Sequence, residues 1–196
     1  MQFDSNLEEG VKDQWKVSTI MRNVIPLLLF LTFLELGAGY VLEGLKETFV
    51  ENPSLLVLVP PLKDLAGNFG SVLSSRVSTR LHLGLKSGRD KMFSGKAISD
   101  SLGTLMLVVA MSFLLSIMTY FFGQFGGSSL PFLQILKVTM LTSLILGVFV
   151  ILISVSIVFL SFRRSIEPDD VAIPVVTNFA DIVGVIVFAL VVAVVV

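Results

Sequence analysis

Residues 167–196 read EPDDVAIPVVTNFADIVGVIVFALVVAVVV. From Val171 to Val196 the run is 26 residues long and holds a single ionisable side chain, Asp181. As an α-helix it would rise about 39 Å, more than the roughly 30 Å hydrocarbon core of a bilayer. A stretch of this length and apolarity is a membrane-crossing helix. An aspartate near the centre of such a helix costs roughly 2.5–3.5 kcal/mol on insertion scales, so Asp181 is expected to face a protein interior or a water-filled path.

The rest of the chain has the same character. Of 196 residues, 54% are hydrophobic and 15% charged, and the mean hydropathy is +0.91. Apolar residues come in long blocks at about 22–44, 54–82, 99–122, 131–162 and 171–196. The expected fold is therefore an all-α integral membrane protein of five transmembrane helices, spanning 21–196, behind a short cytoplasmic head at 1–20. That head is mixed and mostly acidic (Asp4, Glu8, Glu9, Lys12, Asp13, Lys16) and lacks the basic start and short apolar core of a cleavable signal, so it is expected to be retained. The chain has no cysteine and one histidine, which argues against disulfides, thiolate metal sites and cysteine-nucleophile chemistry.

Charge orients the helices. Lys12, Lys16 and Arg22 precede the first block, Arg76, Arg80, Lys86, Arg89, Lys91 and Lys96 surround the second connection, and Arg163 and Arg164 follow the fourth block. These are alternate connections. The others hold Lys46 among Glu43, Glu47, Glu51 and Asn52, or the uncharged GQFGGSSL. The positive-inside rule then puts the N-terminus in the cytoplasm and the C-terminus outside. The basic run at 76–96 is explained by this topology and by anionic headgroups, without nucleic acid. The glycines of GQFGGSSLP lack the lysine and preceding strand of a phosphate loop.

Polarity enters the membrane in two segments. The second contains Pro60, Pro61, Lys63, Asp64, Gly67, Asn68 and Gly70, which predicts a helix broken near Pro60 to Asn68, with carbonyls facing a cavity. Beyond it, Asn68, Ser71, Ser75, Ser78 or Thr79, and His82 recur every three or four residues and form a polar stripe along one face. Hydroxyls also cement helix packing in membranes, and the serines alone fit that reading equally. In the fifth segment Pro174, Thr177, Asn178, Asp181 and Gly184 share a face. Asp181 could instead be an ion-pair partner of Lys63 or Lys137, the latter placed to snorkel. Glu35 and Asp64 are further buried carboxylate candidates for an internal pair with Lys63, and for the adjacent Asp64 that is the expected role. His82 sits at the membrane edge as an interfacial residue.

Two stretches, VPPLKDLAGNFGSVLSSRVSTRLHLG and EPDDVAIPVVTNFADIVGV, resemble the membrane domain of the MgtE family of magnesium channels and, more closely, their eukaryotic solute-carrier relatives, in which two such domains are fused. The resemblance rests on Pro61, Gly67, Asn68 and Gly70, then on Glu167, Pro168, Asp169, Pro174, Thr177 and Asp181. It implies that Asp181 of two protomers holds a hydrated Mg2+ in a central pore. Bacterial members carry a cytoplasmic magnesium-sensing region ahead of the membrane domain, so gating by such a sensor is not expected of the short head seen here. Lys63 and Asp64 depart from a pattern that is mostly apolar at that point.

Residue chemistry agrees with that implication. Mg2+ dehydrates reluctantly and keeps several waters, so one or two carboxylates with amide and hydroxyl oxygens suit it, and Mn2+, Co2+ and Ca2+ accept similar ligands. One Asp181 per chain is a thin charge supply, and a two-fold dimer doubles it. The expectation is a divalent cation transporter of the plasma membrane, a homodimer or a pairing with a similar half-size chain among membrane lipids, with no organic cofactor. Asp181, Asn68, Thr177 and Asn178 would attend the ion, and Gly67, Gly70, Ser71, Ser75, Pro174 and Gly184 would line the path. The alternative is a non-conducting membrane subunit serving a separate transport or catalytic partner. No nucleophile system or compact metal motif suggests an enzyme.

Overall fold

The computed structural model describes residues 17–82, 95–127, 130–164 and 168–196, and among them every regular element is a helix. In chain order these are α1 (Val17–Glu43), α2 (Lys46–Glu51), α3 (Pro53–His82), α4 (Gly95–Phe125), α5 (Phe132–Arg163) and α6 (Pro168–Val195). The head at 1–16, the loop residues Lys86, Arg89 and Lys91, and Glu167 lie outside the described residues.

Local chemistry sets the helix ends. Pro53 opens α3 at the one position where a missing N–H loses nothing, and the carbonyl of Asn52 accepts from Leu55 N at 3.0 Å. After α4, Gly126 N bonds to Phe122 O at 3.3 Å, and Gly127 turns the chain at φ +74°, a left-handed conformation that glycine adopts without steric cost. Extended Pro131 (ψ 148°) then starts α5.

Among the described residues, four helical stretches are long and apolar enough to cross a membrane: Ile25–Glu43, Ser99–Phe125, Phe132–Arg163 and Val171–Val195. The fifth long helix, α3, has 30 residues but carries Lys63, Asp64, Arg76 and Arg80, which lower its hydropathy. It packs against α4, α5 and α6. Together α3, α5 and α6 form the centre of the bundle; α4 lies against α3 and α5, and α1 against α6. One apolar cluster joins Phe49 of α2 to Leu55, Leu58, Val59 and Leu62 of α3, Ile135 and Val138 of α5, and Phe188 and Val192 of α6. A second joins Ala66, Leu146, Val150, Val176 and Ala180.

Two expectations are corrected. The helix is not broken between Pro60 and Asn68: α3 runs without interruption from Pro53 to His82. Each proline removes one N–H, from the carbonyls of Leu56 and Val57, but Leu55, Leu58, Val59 and Leu62 are buried against α5 and α6, and that packing holds the segment helical. The acidic connection 43–54 is also not a plain loop. It contains α2, whose Phe49 stacks on Phe188 with ring centroids 6.3 Å apart.

The distribution of polarity is that of a protein dissolved in lipid. Leu29, Phe30, Phe33, Leu36 and Tyr40 of α1 are exposed, as are Phe121, Phe122, Leu152 and Leu190 elsewhere. Ser112, Ser116, Thr139 and Ser154 are fully buried. Ser112, Ser116 and Thr139 each donate to the carbonyl four residues back at 2.6–2.8 Å, while Ser154 crosses to Gly70 O at 3.2 Å. At one end of α3, Arg80 and Arg76 (3.8 Å) both reach Asp100 of α4, so part of the basic run is paired within the protein.

Close helix contact rests on absent side chains. A Cβ at Gly70 would come 2.3 Å from Val176 Cγ1 and 2.6 Å from Val150 Cγ1. Gly70→Ala is therefore expected to cost about 1–3 kcal/mol of stability, read as a lower midpoint of thermal unfolding in detergent. Gly103→Ala, at a position with nothing within 4 Å, should leave the midpoint unchanged or raise it.

Candidate functional site

The seam between α3 and α6 gathers most of the expected site residues. On α3, Asp64 and Asn68 are exposed and Ser71 and Ser75 half-buried; on α6, Pro174, Thr177, Asn178 and Asp181 are half-buried. The four-residue periodicity of each helix puts these side chains on one open face. Ser71 Oγ and Thr177 Oγ1 meet across the seam at 3.4 Å.

A recurring hydrogen-bond pattern governs what this seam can bind. Asn68 Nδ2 donates to Asp64 Oδ2 (3.1 Å), Ser71 to Gly67 O (2.9 Å), Thr79 to Ser75 O (2.8 Å), Thr177 to Ile173 O (2.9 Å) and Asn178 Nδ2 to Pro174 O (3.0 Å). Every one of these bonds turns a donor back onto the same helix. A hydroxyl has one proton and two lone pairs, so Ser71 and Thr177 retain acceptor capacity and little donor capacity. The resulting surface is rich in acceptors and suits a species that presents hydrogens, such as the water shell of a cation.

At one end of the seam stands a charged cluster. Lys63 Nζ of α3 lies 3.6 Å from Asp181 Oδ1 of α6, with side chains 29% and 21% exposed. Glu35 of α1 is a second carboxyl close to Asp181. Three helices thus bring one ammonium and two carboxyls together, with Glu35 and Asp181 on stretches apolar enough to cross a membrane. Gly184, one turn beyond Asp181, leaves room for the lysine stem: a Cβ there would lie 3.8 Å from Lys63 Cγ and 3.2 Å from Leu146 Cδ2.

Several sequence expectations are redrawn. Asp64 does not pair with Lys63; it accepts from Asn68, because adjacent residues on a helix point about 100° apart. Lys63 pairs with Asp181, the partner that the sequence held as an alternative. Gly67, Gly70 and Gly184, expected to line a path, are buried in helix contacts; the space at Gly67 is taken by Thr177, 3.2 Å from where a Cβ would be. Lys137 is exposed on α5. His82 is near Ser78 O (3.0 Å) and meets Phe162 edge-on at 6.0 Å. The Asp100 clamp is set by the docking of α4 on α3, although Arg76 and Arg80, four residues apart, signal a shared face in the sequence. Among the described residues no group of three or more His, Asp or Glu side chains could hold a metal ion.

The profile of the MgtE family, described as a divalent cation transporter, matches residues 59–191. The matched region contains the seam and Asp181. The chain is 27% identical over 194 residues to solute carrier family 41 member 3 of Rattus norvegicus, covering 92% of this chain and 40% of that protein. It is 26% identical over 197 residues to solute carrier family 41 member 2 of Gallus gallus, covering 92% of this chain and 33% of the relative. The chain therefore spans 40% or less of the length of these two relatives.

Because the chain contains no cysteine, the α3–α6 register can be checked with one introduced pair. Ser71→Cys with Thr177→Cys replaces oxygens 3.4 Å apart by sulfurs that reach bonding distance after a small rotamer change. Mild oxidation should form an intramolecular disulfide in most of the protein, seen as fragments that stay joined when the chain is cut between residues 82 and 95. Ser75→Cys with Thr177→Cys, one turn out of register, should cross-link far less.

Proposed function

The chain belongs to the MgtE family of divalent cation transporters, a family of transporters and not of enzymes, and we propose that it carries a hydrated divalent cation, Mg2+ first, across the plasma membrane along the α3–α6 seam. Asp181 is the holding carboxylate. Asn68, Ser71, Thr177 and Asn178 take hydrogens from the ion's water shell, and Ser75 and Thr79 continue the path toward the basic end of α3. The observation that carries this reading is the acceptor-rich seam: five side chains turn a donor back onto their own helix. Mg2+ keeps several waters and seldom enters an all-protein cage, so it matches such a surface better than a cation that must be stripped.

The pore forms where two copies meet, or where this chain meets a similar half-size one. Support comes from Lys63 and Asp181, which remain 29% and 21% exposed at the bundle surface. Charges at membrane depth face protein or water. A second copy covers them, and a two-fold axis brings a second Asp181 to the ion. With the N-terminus in the cytoplasm, inward movement gains about 2.3 kcal/mol per elementary charge per 100 mV of membrane potential, twice that for a divalent ion.

One observation favours a second reading. Asp181 already has a counter-charge in Lys63, and an ion pair that merely joins α3 to α6 would suit a non-conducting subunit with a separate transport partner. Divalent flux into proteoliposomes separates the two. Asp181→Asn should lower Mg2+ influx by at least about tenfold, the effect of roughly 1.4 kcal/mol of lost ion stabilisation, while leaving the oligomer's size intact. Asn68→Ala should lower it by about two- to fivefold, the scale of one hydrogen bond. Undiminished flux in Asp181→Asn would overturn the proposed role.

A further inference from the structure

The Lys63–Asp181 contact joins a tethered cation to the carboxylate assigned to the transported one. The geometry points to Lys63 as a built-in competitor: its ammonium occupies the cation position at Asp181 until a divalent ion displaces it, and so sets the concentration at which transport begins. This inference rests on the reading of Asp181 as the ion-holding carboxylate.

Four observations carry it. The ammonium lies 3.6 Å from Asp181 Oδ1, close enough to neutralise it directly but longer than a tight charged hydrogen bond. Neither group is locked in the core, since both side chains keep a fifth or more of their surface exposed. An alternative position is also at hand, because Glu35 lies beside Asp181; an ammonium pushed off one carboxylate finds another without leaving the cluster. Gly184 leaves empty the space in which a Cβ would touch the stem, 3.8 Å from Lys63 Cγ. Lysine suits this role better than arginine: its charge is compact, its stem flexible, and it makes no bidentate fork that would hold the carboxylate.

The magnitude follows from competition. A group tethered beside a site acts at an effective concentration of roughly millimolar or more. If the ammonium occupies the site about nine-tenths of the time, the apparent affinity for the external ion falls about tenfold.

The absence of cysteine from the chain permits a test on one folded protein. Lys63→Cys is reconstituted and its thiol left free, capped with methyl methanethiosulfonate, which is neutral, or capped with 2-aminoethyl methanethiosulfonate, which restores an ammonium on a stem of similar length. Half-saturating Mg2+ for influx is measured at fixed membrane potential, beside wild type, Lys63→Met and Asp181→Asn. The expected result is that Lys63→Met, Lys63→Cys and the neutral adduct half-saturate at about tenfold lower Mg2+, and that the aminoethyl adduct returns to within about twofold of wild type. Equal half-saturation for the neutral and ammonium adducts, or loss of flux in every neutral form, would overturn the inference and leave Lys63 a structural partner; loss of flux in Asp181→Asn would still uphold the transport reading in that case. Full flux in Asp181→Asn would instead remove the transport reading, and the competitor with it.

Discussion

The approach of α3 to α6 at Gly67 and Gly70 is the constraint from which the rest of the molecule's geometry follows. With no Cβ at these positions, Val176, Val150 and Thr177 come into space that any other residue would fill. Apolar surface gains little from leaving lipid for protein, so dispersion between closely fitted helices has to supply the attraction. The same closeness brings Ser154 to the Gly70 carbonyl and sets Ser71 opposite Thr177. One turn further along, it leaves Lys63 and Asp181 facing each other. The glycines thus act on the site through distance alone.

Around that contact the bundle solves two different polar problems. Hydroxyls in the packed interior, such as Ser112, Ser116 and Thr139, satisfy themselves on their own helix and present a smooth surface to their neighbours. Along the seam the same self-directed bonding recurs at half-buried and exposed positions, where its consequence differs. A donor spent internally leaves acceptors outward, and a row of acceptors discriminates by charge without gripping. On the proposed function a bound ion must also leave, and loose solvation of a hydrated ion along the seam meets that need better than a rigid cage.

Much of this architecture was legible in the sequence because bilayer thickness imposes a ruler on the chain. Block length and mean hydropathy identify the all-α membrane class, and the three- and four-residue spacing of Asn68, Ser71 and Ser75 places them on a common face before any coordinates are known. Other features were not legible for physical reasons. Paired prolines in a helix read as a break, since the lost hydrogen bonds are visible in sequence while the packing that offsets them is not. Small residues such as Gly67, Gly70 and Gly184 fit a path wall and a tight helix contact equally well. The partner of Lys63 is set by helix rotation: Asp64 is its neighbour in sequence, yet Asp181, 118 positions away, is its neighbour in space. Glu35 joins the cluster only through the docking of α1, which no local pattern encodes.

That docking has a consequence for how the protein is made. The chief neighbour of α1, the first helix described, is α6, the last one described. During synthesis α1 enters the bilayer with Glu35 in its apolar run and waits through four further helices before its binding surface exists. The carboxyl must shelter in the interface, in the insertion machinery or against a temporary neighbour until α6 arrives. The charged cluster therefore assembles only once α6 has been made, and a chain interrupted before α6 would hold the Glu35 carboxyl on α1 with no α6 surface to receive it.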